Sequence, residues 1–93
     1  MIPIGTEVSW VSQSQGFYKE KRGIVIAHLE PGQPVETVLP PGTKPQHIRG
    51  NRVSHYRRYV VAVRRPKGRV TYYYTPVAEW LEKQFGEAFS DAN

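Results

Sequence analysis

The side chains best suited to chemistry are cations and tyrosines, and they crowd into one stretch. Lys44, Arg49, Arg52, Arg57, Arg58, Arg64, Arg65, Lys67 and Arg69 lie between residues 44 and 74 with no carboxylate among them. Tyr59, Tyr72, Tyr73 and Tyr74 are interleaved with them. Residues 1–43 carry a net charge of −1, residues 44–74 +9 and residues 75–93 −3, within a chain total of +5. Lys and Arg neutralise phosphates and release counterions, which gives affinity for nucleic acid without sequence preference. Aromatic faces stack on unpaired bases for about 1–3 kcal/mol each. A charge distribution this uneven points to a polyanionic partner. The same residues could instead form a solvated surface that keeps the chain soluble, and the two readings weigh about equally here.

Catalytic chemistry finds little to work with. There is no Cys, which excludes disulfides, thiolate nucleophiles and Cys-held metals. The histidines are His28, His47 and His55, and the last two lie in the basic segment with no carboxylate close by in sequence to orient them. The sole Asp is Asp91, near the end of the sequence. No Ser-His-acid set, no pair of His four apart and no phosphate-cradling glycine loop occurs. The expectation is a protein that is not an enzyme, with no cofactor and no metal site. His28 is expected to be structural.

The elements that must position the basic stretch follow from periodicity. Gly5 to Val11 alternates, with Val8 and Trp10 on one side and Glu7 and Ser9 on the other, as in a half-buried strand. Ser12 to Arg22 is polar with Gly16 inside it, and is expected to be a loop. Gly23 to Leu29 is β-branched and apolar, as a buried strand is. Residues 30–50 hold Pro31, Pro34, Pro40, Pro41 and Pro45, which bars a continuous helix or central strand. Val35 to Leu39 suits a short edge strand within that excursion.

Arg57 to Arg64 is the strongest strand. Arg65-Pro-Lys-Gly-Arg69 then fits a type I turn with a glycine bulge, and Val70 to Thr75 returns as the partner strand. Pairing Arg65 with Arg69 puts Val60, Ala62, Val70, Tyr72 and Tyr74 on a core face. It puts Arg57, Tyr59, Val61, Val63, Arg65, Arg69, Thr71 and Tyr73 on the other; a one-residue slip would exchange them. Thr75 and Pro76 suit a helix N-cap and first position. Val77, Trp80, Leu81 and Phe85 form an apolar stripe that brings Trp80 onto the sheet, and Gly86 is a plausible stop.

Gly5-x-x-Val8-x-Trp10, a polar loop and then Lys21-x-Gly23-x-Val25 resembles the opening of small SH3-like β-barrels of the Tudor and KOW type. The resemblance covers residues 4–29. It implies a barrel of about five strands and a binding role toward nucleic acid or peptides. The aromatic cage of some Tudor domains cannot be mapped onto this chain residue by residue.

The fold expected is therefore mainly β (α+β): an SH3-like, Tudor-like barrel with a C-terminal helix over residues 76–86. One domain is expected over 1–86, with a flexible tail at 87–93. The function expected is a non-catalytic nucleic-acid-binding module, for DNA or RNA, reading single strands or structure through Lys44, Arg49, Arg52, Arg57, Tyr59, Arg65, Lys67, Arg69 and Tyr73. A protein-interaction module docking its basic face on an acidic partner is the alternative. Tyr72 and Tyr74 are expected in the core, while Tyr59 and Tyr73 could be core or ligand-facing. Glu79, Glu82 and Glu87 on the helix argue against a membrane partner. With no signal-peptide pattern and no span of about 18 apolar residues, a cytoplasmic monomer or small homo-oligomer is expected.

Overall fold

A computed structural model describes residues 1–14, 16–65 and 68–91 of the chain. Five strands, β1 (Glu7–Ser14), β2 (Phe17–Leu29), β3 (Ile48–Arg49), β4 (Arg58–Arg64) and β5 (Thr71–Tyr74), precede one helix, α1 (Ala78–Asp91). They form a single mixed sheet in the order β1-β2-β4-β5-β3, antiparallel throughout except for the parallel β3–β5 pair. The class is mainly β with a C-terminal helix, as the sequence implies. The sheet is not closed into a barrel, because β1 and β3 stand at opposite edges. Closure would need a last strand long enough to reach β1, and β3 has two residues.

Both faces of the sheet are covered. On one, Val8, Trp10, Val25, Tyr59 and Val61 pack under Ala78 and Leu81 of α1. On the other, Ala27, Leu29 and Val60 pack under Val35 from the Pro-rich excursion. Tyr59, Leu81, Val25, Val35, Val60 and Val61 are fully buried, which stabilises the fold by roughly 1.5–3 kcal/mol per large side chain. A β-bulge at Ile26 lets one strand serve both layers. Val25 pairs with Val61 and Ala27 with Val60, so the extra residue turns Ala27 and Leu29 to the opposite face from Val25. Gly23 lies where β2 crosses closest to β4. A Cβ there would sit 2.3 Å from the Ala62 carbonyl oxygen, so only Gly fits the approach.

Burial on both sides is why the expected hairpin register is wrong. Arg64 pairs with Thr71 and Val63 with Tyr72, one residue away from an Arg65–Arg69 pairing. The Gly68 N–H does donate to the Arg65 carbonyl at 3.2 Å, closing a four-residue turn. Pro66 and Lys67 at its centre lie outside the described residues. Gly68 lacks the positive φ that a glycine bulge would give it, and β5 starts only at Thr71. Tyr59, Val61, Val63, Tyr72 and Tyr74 consequently share the helix-side face. Val60, Ala62, Thr71 and Tyr73 share the other. The unbroken run of apolar and aromatic residues from Tyr59 to Val63 within β4 fits either register when both faces are dry, so alternation alone could not decide.

Three further expectations are corrected. Ser12 to Arg22 is not a loop: β1 and β2 pair as far as Ser14 and Phe17, with Gly16 at φ +80°. Val35 to Leu39 is not an edge strand, because Val35–Thr37 is a 3-10 helix that drives Val35 into the second core. Finally, α1 begins at Ala78, after Val77 bridges to Arg58, and continues through Gly86 to Asp91. Thr75 is not its cap. The Thr75 hydroxyl donates to the Asn51 carbonyl at 3.2 Å, and the Ala78 N–H donates to the Arg57 carbonyl at 2.9 Å.

Candidate nucleic-acid interface

Arg57 and Tyr59 belong to the scaffold. Tyr59 is fully buried. Its hydroxyl accepts from the Ile2 N–H at 2.8 Å and donates to Glu82 Oε1 of α1 at 2.5 Å. The Arg57 Nη2 donates to both Glu82 oxygens, at 3.1 and 3.3 Å. Tyr59 donation holds the Glu82 carboxyl below its usual range, and Arg57 adds to this against the opposing effect of burial. Burial, reinforced by the Glu82 bond, raises the Tyr59 phenol. The bond to Glu82 raises Arg57. His28 completes the layer: its ring meets Tyr59 edge-on at 5.0 Å, and its Nε2 donates to the Ile2 carbonyl at 2.9 Å. The set ties α1 and the N-terminal segment to β4, so Arg57 and Tyr59 are withdrawn from the expected ligand face.

A different group of cations stands on tyrosines that α1 leaves half-buried. The guanidinium groups of Arg49 and Arg65 each lie 4.9 Å from the Tyr72 ring centroid. The Lys21 ammonium lies 4.8 Å from the Tyr74 centroid. His47 meets Tyr72 edge-on at 5.6 Å. Four separate elements deliver these groups: β2 supplies Lys21, β3 Arg49, the end of β4 Arg65, and β5 both tyrosines. Gly50 makes the β3 placement possible. It has φ +131°, and a Cβ would fall 2.5 Å from the Thr75 Oγ1.

Two open clefts meet at Tyr74. One, of about 490 Å³, is lined by Val63, Tyr72 and Tyr74 with Lys21 and Arg65. Its one acid is Glu20, exposed and 3.5 Å from Arg22. The other, of about 660 Å³, has Trp10, Tyr74 and Trp80 together with Arg49 and Arg58, and no acid among the described residues of its lining. Trp10 forms its buried floor, edge-on to Tyr74 at 5.9 Å, and Trp80 is 41% exposed at its rim. The helix stripe thus differs from the expected one, since Ala78 and Leu81 enter the core and Trp80 does not. Arg58 is fixed in the wall by a 2.6 Å bond from Nη1 to the Thr75 carbonyl.

The remaining expected residues are divided. Lys44, Arg69 and Tyr73 line a separate cleft of about 300 Å³ on the excursion side, next to His47. Tyr73 is half-buried there against the second core. Arg52 is exposed and paired with Glu36 at 3.0 Å. Lys67 lies outside the described residues. The sequence reading overlooked Lys21, Trp10, Tyr72, Tyr74 and Trp80. The pairing of Trp10 with Lys21 across β1 and β2 was hidden by treating residue 21 as loop. Among the described residues no three His, Asp or Glu side chains cluster to hold a metal, and no helix is long and apolar enough to cross a membrane.

Comparison with protein-family models, with curated proteins and with solved structures yields no match to this chain.

Proposed function

We propose that the chain is a non-catalytic nucleic-acid-binding module whose contact surface is the helix-side end of the sheet around Tyr72 and Tyr74. The observation that carries this reading is the stacking of Arg49 and Arg65 on Tyr72, beside Lys21 on Tyr74, with no carboxylate among the described residues bound to any of the three. Cations held on aromatic faces present charge and π-surface at one place, which is what a phosphate-and-base polymer recognises. Lys44 and Arg69 offer a second, sequence-independent contact around the β5–β3 edge. The titratable groups with displaced pKa values, Glu82, Tyr59 and Arg57, are occupied in holding α1 to β4. That supports a binding role over a catalytic one.

Titrating labelled DNA and RNA oligonucleotides at several salt concentrations tests the proposal. Log K should fall linearly with log salt. Replacing Lys21, Arg49 and Arg65 together by Ala should abolish binding with an unchanged circular dichroism spectrum. No binding at low salt, or equal binding to polyglutamate, would reverse the reading in favour of an acidic protein partner.

A further inference from the structure

We infer that the cleft between α1 and the β3–β5 edge is a receptor for an unpaired nucleobase, which makes the protein a reader of single-stranded nucleic acid. This inference rests on the nucleic-acid reading above and assigns the part of the ligand that the phosphate contacts do not. The cleft measures about 660 Å³, within the roughly 300–1,000 Å³ of small-molecule sites. Its floor is Trp10 with Tyr74 edge-on to it, and its rim is the exposed Trp80. Large aromatic side chains are normally driven into the core, and Trp80 instead sits exposed beside a recess with an aromatic floor. That arrangement suits a flat π-system entering from solvent.

Charge decides which flat or aromatic-seeking ligand fits. An aromatic recess could also take a methylated ammonium group by cation–π attraction. Here Arg49 and Arg58 belong to the lining, Lys21 stands over the Tyr74 ring, and no acid among the described residues lines the cleft. A cationic ligand would meet like charge, whereas a base carrying its own phosphate meets opposite charge. Arg58 is tied to the Thr75 carbonyl and acts as fixed wall. Arg49 lies at the junction, lining this cleft while standing over Tyr72 of the next. A strand laid across the two clefts would therefore place a base against Trp80, its phosphate at Arg49 and the next nucleotide at Tyr72. A duplex keeps its bases stacked inside and could offer only phosphates.

The chain has two tryptophans, and both line this cleft, so intrinsic fluorescence reports on it directly. Four probes should be titrated: a short oligothymidylate, the matching oligouridylate, a strand of the same length and charge built of abasic units, and a blunt duplex. The two base-bearing strands should quench the emission. The abasic strand should bind at least about tenfold more weakly and without quenching. Trp80→Ala should lower affinity for oligothymidylate to the abasic level and leave abasic binding unchanged, which also shows that the variant is folded. Equal affinity and equal fluorescence response for abasic and base-bearing strands would overturn the base site. So would duplex binding as tight as single-strand binding. Either result would leave the nucleic-acid reading standing. Absence of binding to all four probes would remove both.

Discussion

Arg57 and Arg49 belong to the same basic stretch, and the fold surrounds them differently. Arg57 is half-buried, bound through both Glu82 oxygens, and sits 5.9 Å from the ring centroid of a tyrosine that is itself fully buried. Arg49 is exposed, has no carboxylate among the described residues bound to it, and lies over a half-buried tyrosine between two clefts. The difference teaches that an arginine's role here depends on whether an acid from another element reaches it. Glu82 arrives from α1, and Glu36 reaches Arg52 from the excursion. Among the described residues no acid comes to Arg49 or Arg65. An acid-free stretch of sequence is therefore only partly an acid-free surface.

The strongest way to break this comparison is to remove Glu82. Glu82→Ala leaves the Tyr59 hydroxyl without its acceptor and Arg57 without its counter-ion, and Arg57 already has one buried, unpartnered nitrogen, Nη1. We expect a loss of about 2–3 kcal/mol, a fall in Tm of about 10 °C or more, and unchanged oligonucleotide affinity for the folded fraction. A variant of normal Tm that no longer binds would mean that the two arginine sets had been assigned the wrong way round.

The same network sets the pH limits of stability. The folded Glu82 carboxyl lies below its unfolded value, so its contribution is present above about pH 4.3 and disappears as pH falls through the lower, folded value. The folded Tyr59 phenol lies above its unfolded value. Its contribution is present below about pH 10 and is lost as pH rises through the folded value. Melting curves across pH should show a plateau between these limits. In Glu82→Gln the acid edge should flatten. An identical acid edge in the variant would show that other carboxylates control it.

On the other side of the comparison, Arg49→Ala with Arg65→Ala should lower affinity by about tenfold or more and reduce the salt slope by about 2. Tm should stay within a degree or two, because both side chains are exposed. A large fall in Tm would place these arginines with Arg57 in the scaffold. The smallest effect belongs to Arg52→Ala. It removes an exposed ion pair with Glu36 and should change stability by less than about 0.5–1 kcal/mol, as judged by urea unfolding. Affinity should also stay nearly constant. A marked loss of binding would extend the contact surface to the excursion.

Much of the fold was legible in the sequence because local rules act on local residues. Val8 and Trp10 alternate with Glu7 and Ser9, and they are buried while Glu7 and Ser9 are exposed. Prolines keep continuous structure out of residues 30–50, where the chain makes two 3-10 turns and a two-residue strand. The chain turns back between Arg65 and Gly68, where the Gly68 N–H donates to the Arg65 carbonyl, but without the expected glycine bulge or register. The site was less legible, because its register depended on how many faces of the sheet are dry. Tyr72 and Tyr74 were expected in the core, and Tyr73 was left open between the core and a ligand face. The observed pairing puts Tyr73 against the second core and leaves Tyr72 and Tyr74 under arginine and lysine.

By itself the sequence determined the strands around Val8 and Trp10, from Gly23 to Leu29 and through Val60 to Val63, the C-terminal helix, the concentration of cations between residues 44 and 74, and the lack of thiol chemistry. These follow from composition and short-range periodicity, which need no knowledge of what lies across the sheet. The tertiary structure alone decided which cations are free. Arg57 and Glu82 are separated by 25 residues and meet only because α1 folds back over β4. Lys21, Arg49 and Arg65 reach the β5 tyrosines only because β4 and β3 flank β5 and β2 lies next to β4. Charge in a sequence is additive, but charge at a surface depends on which carboxylates the packing brings within reach.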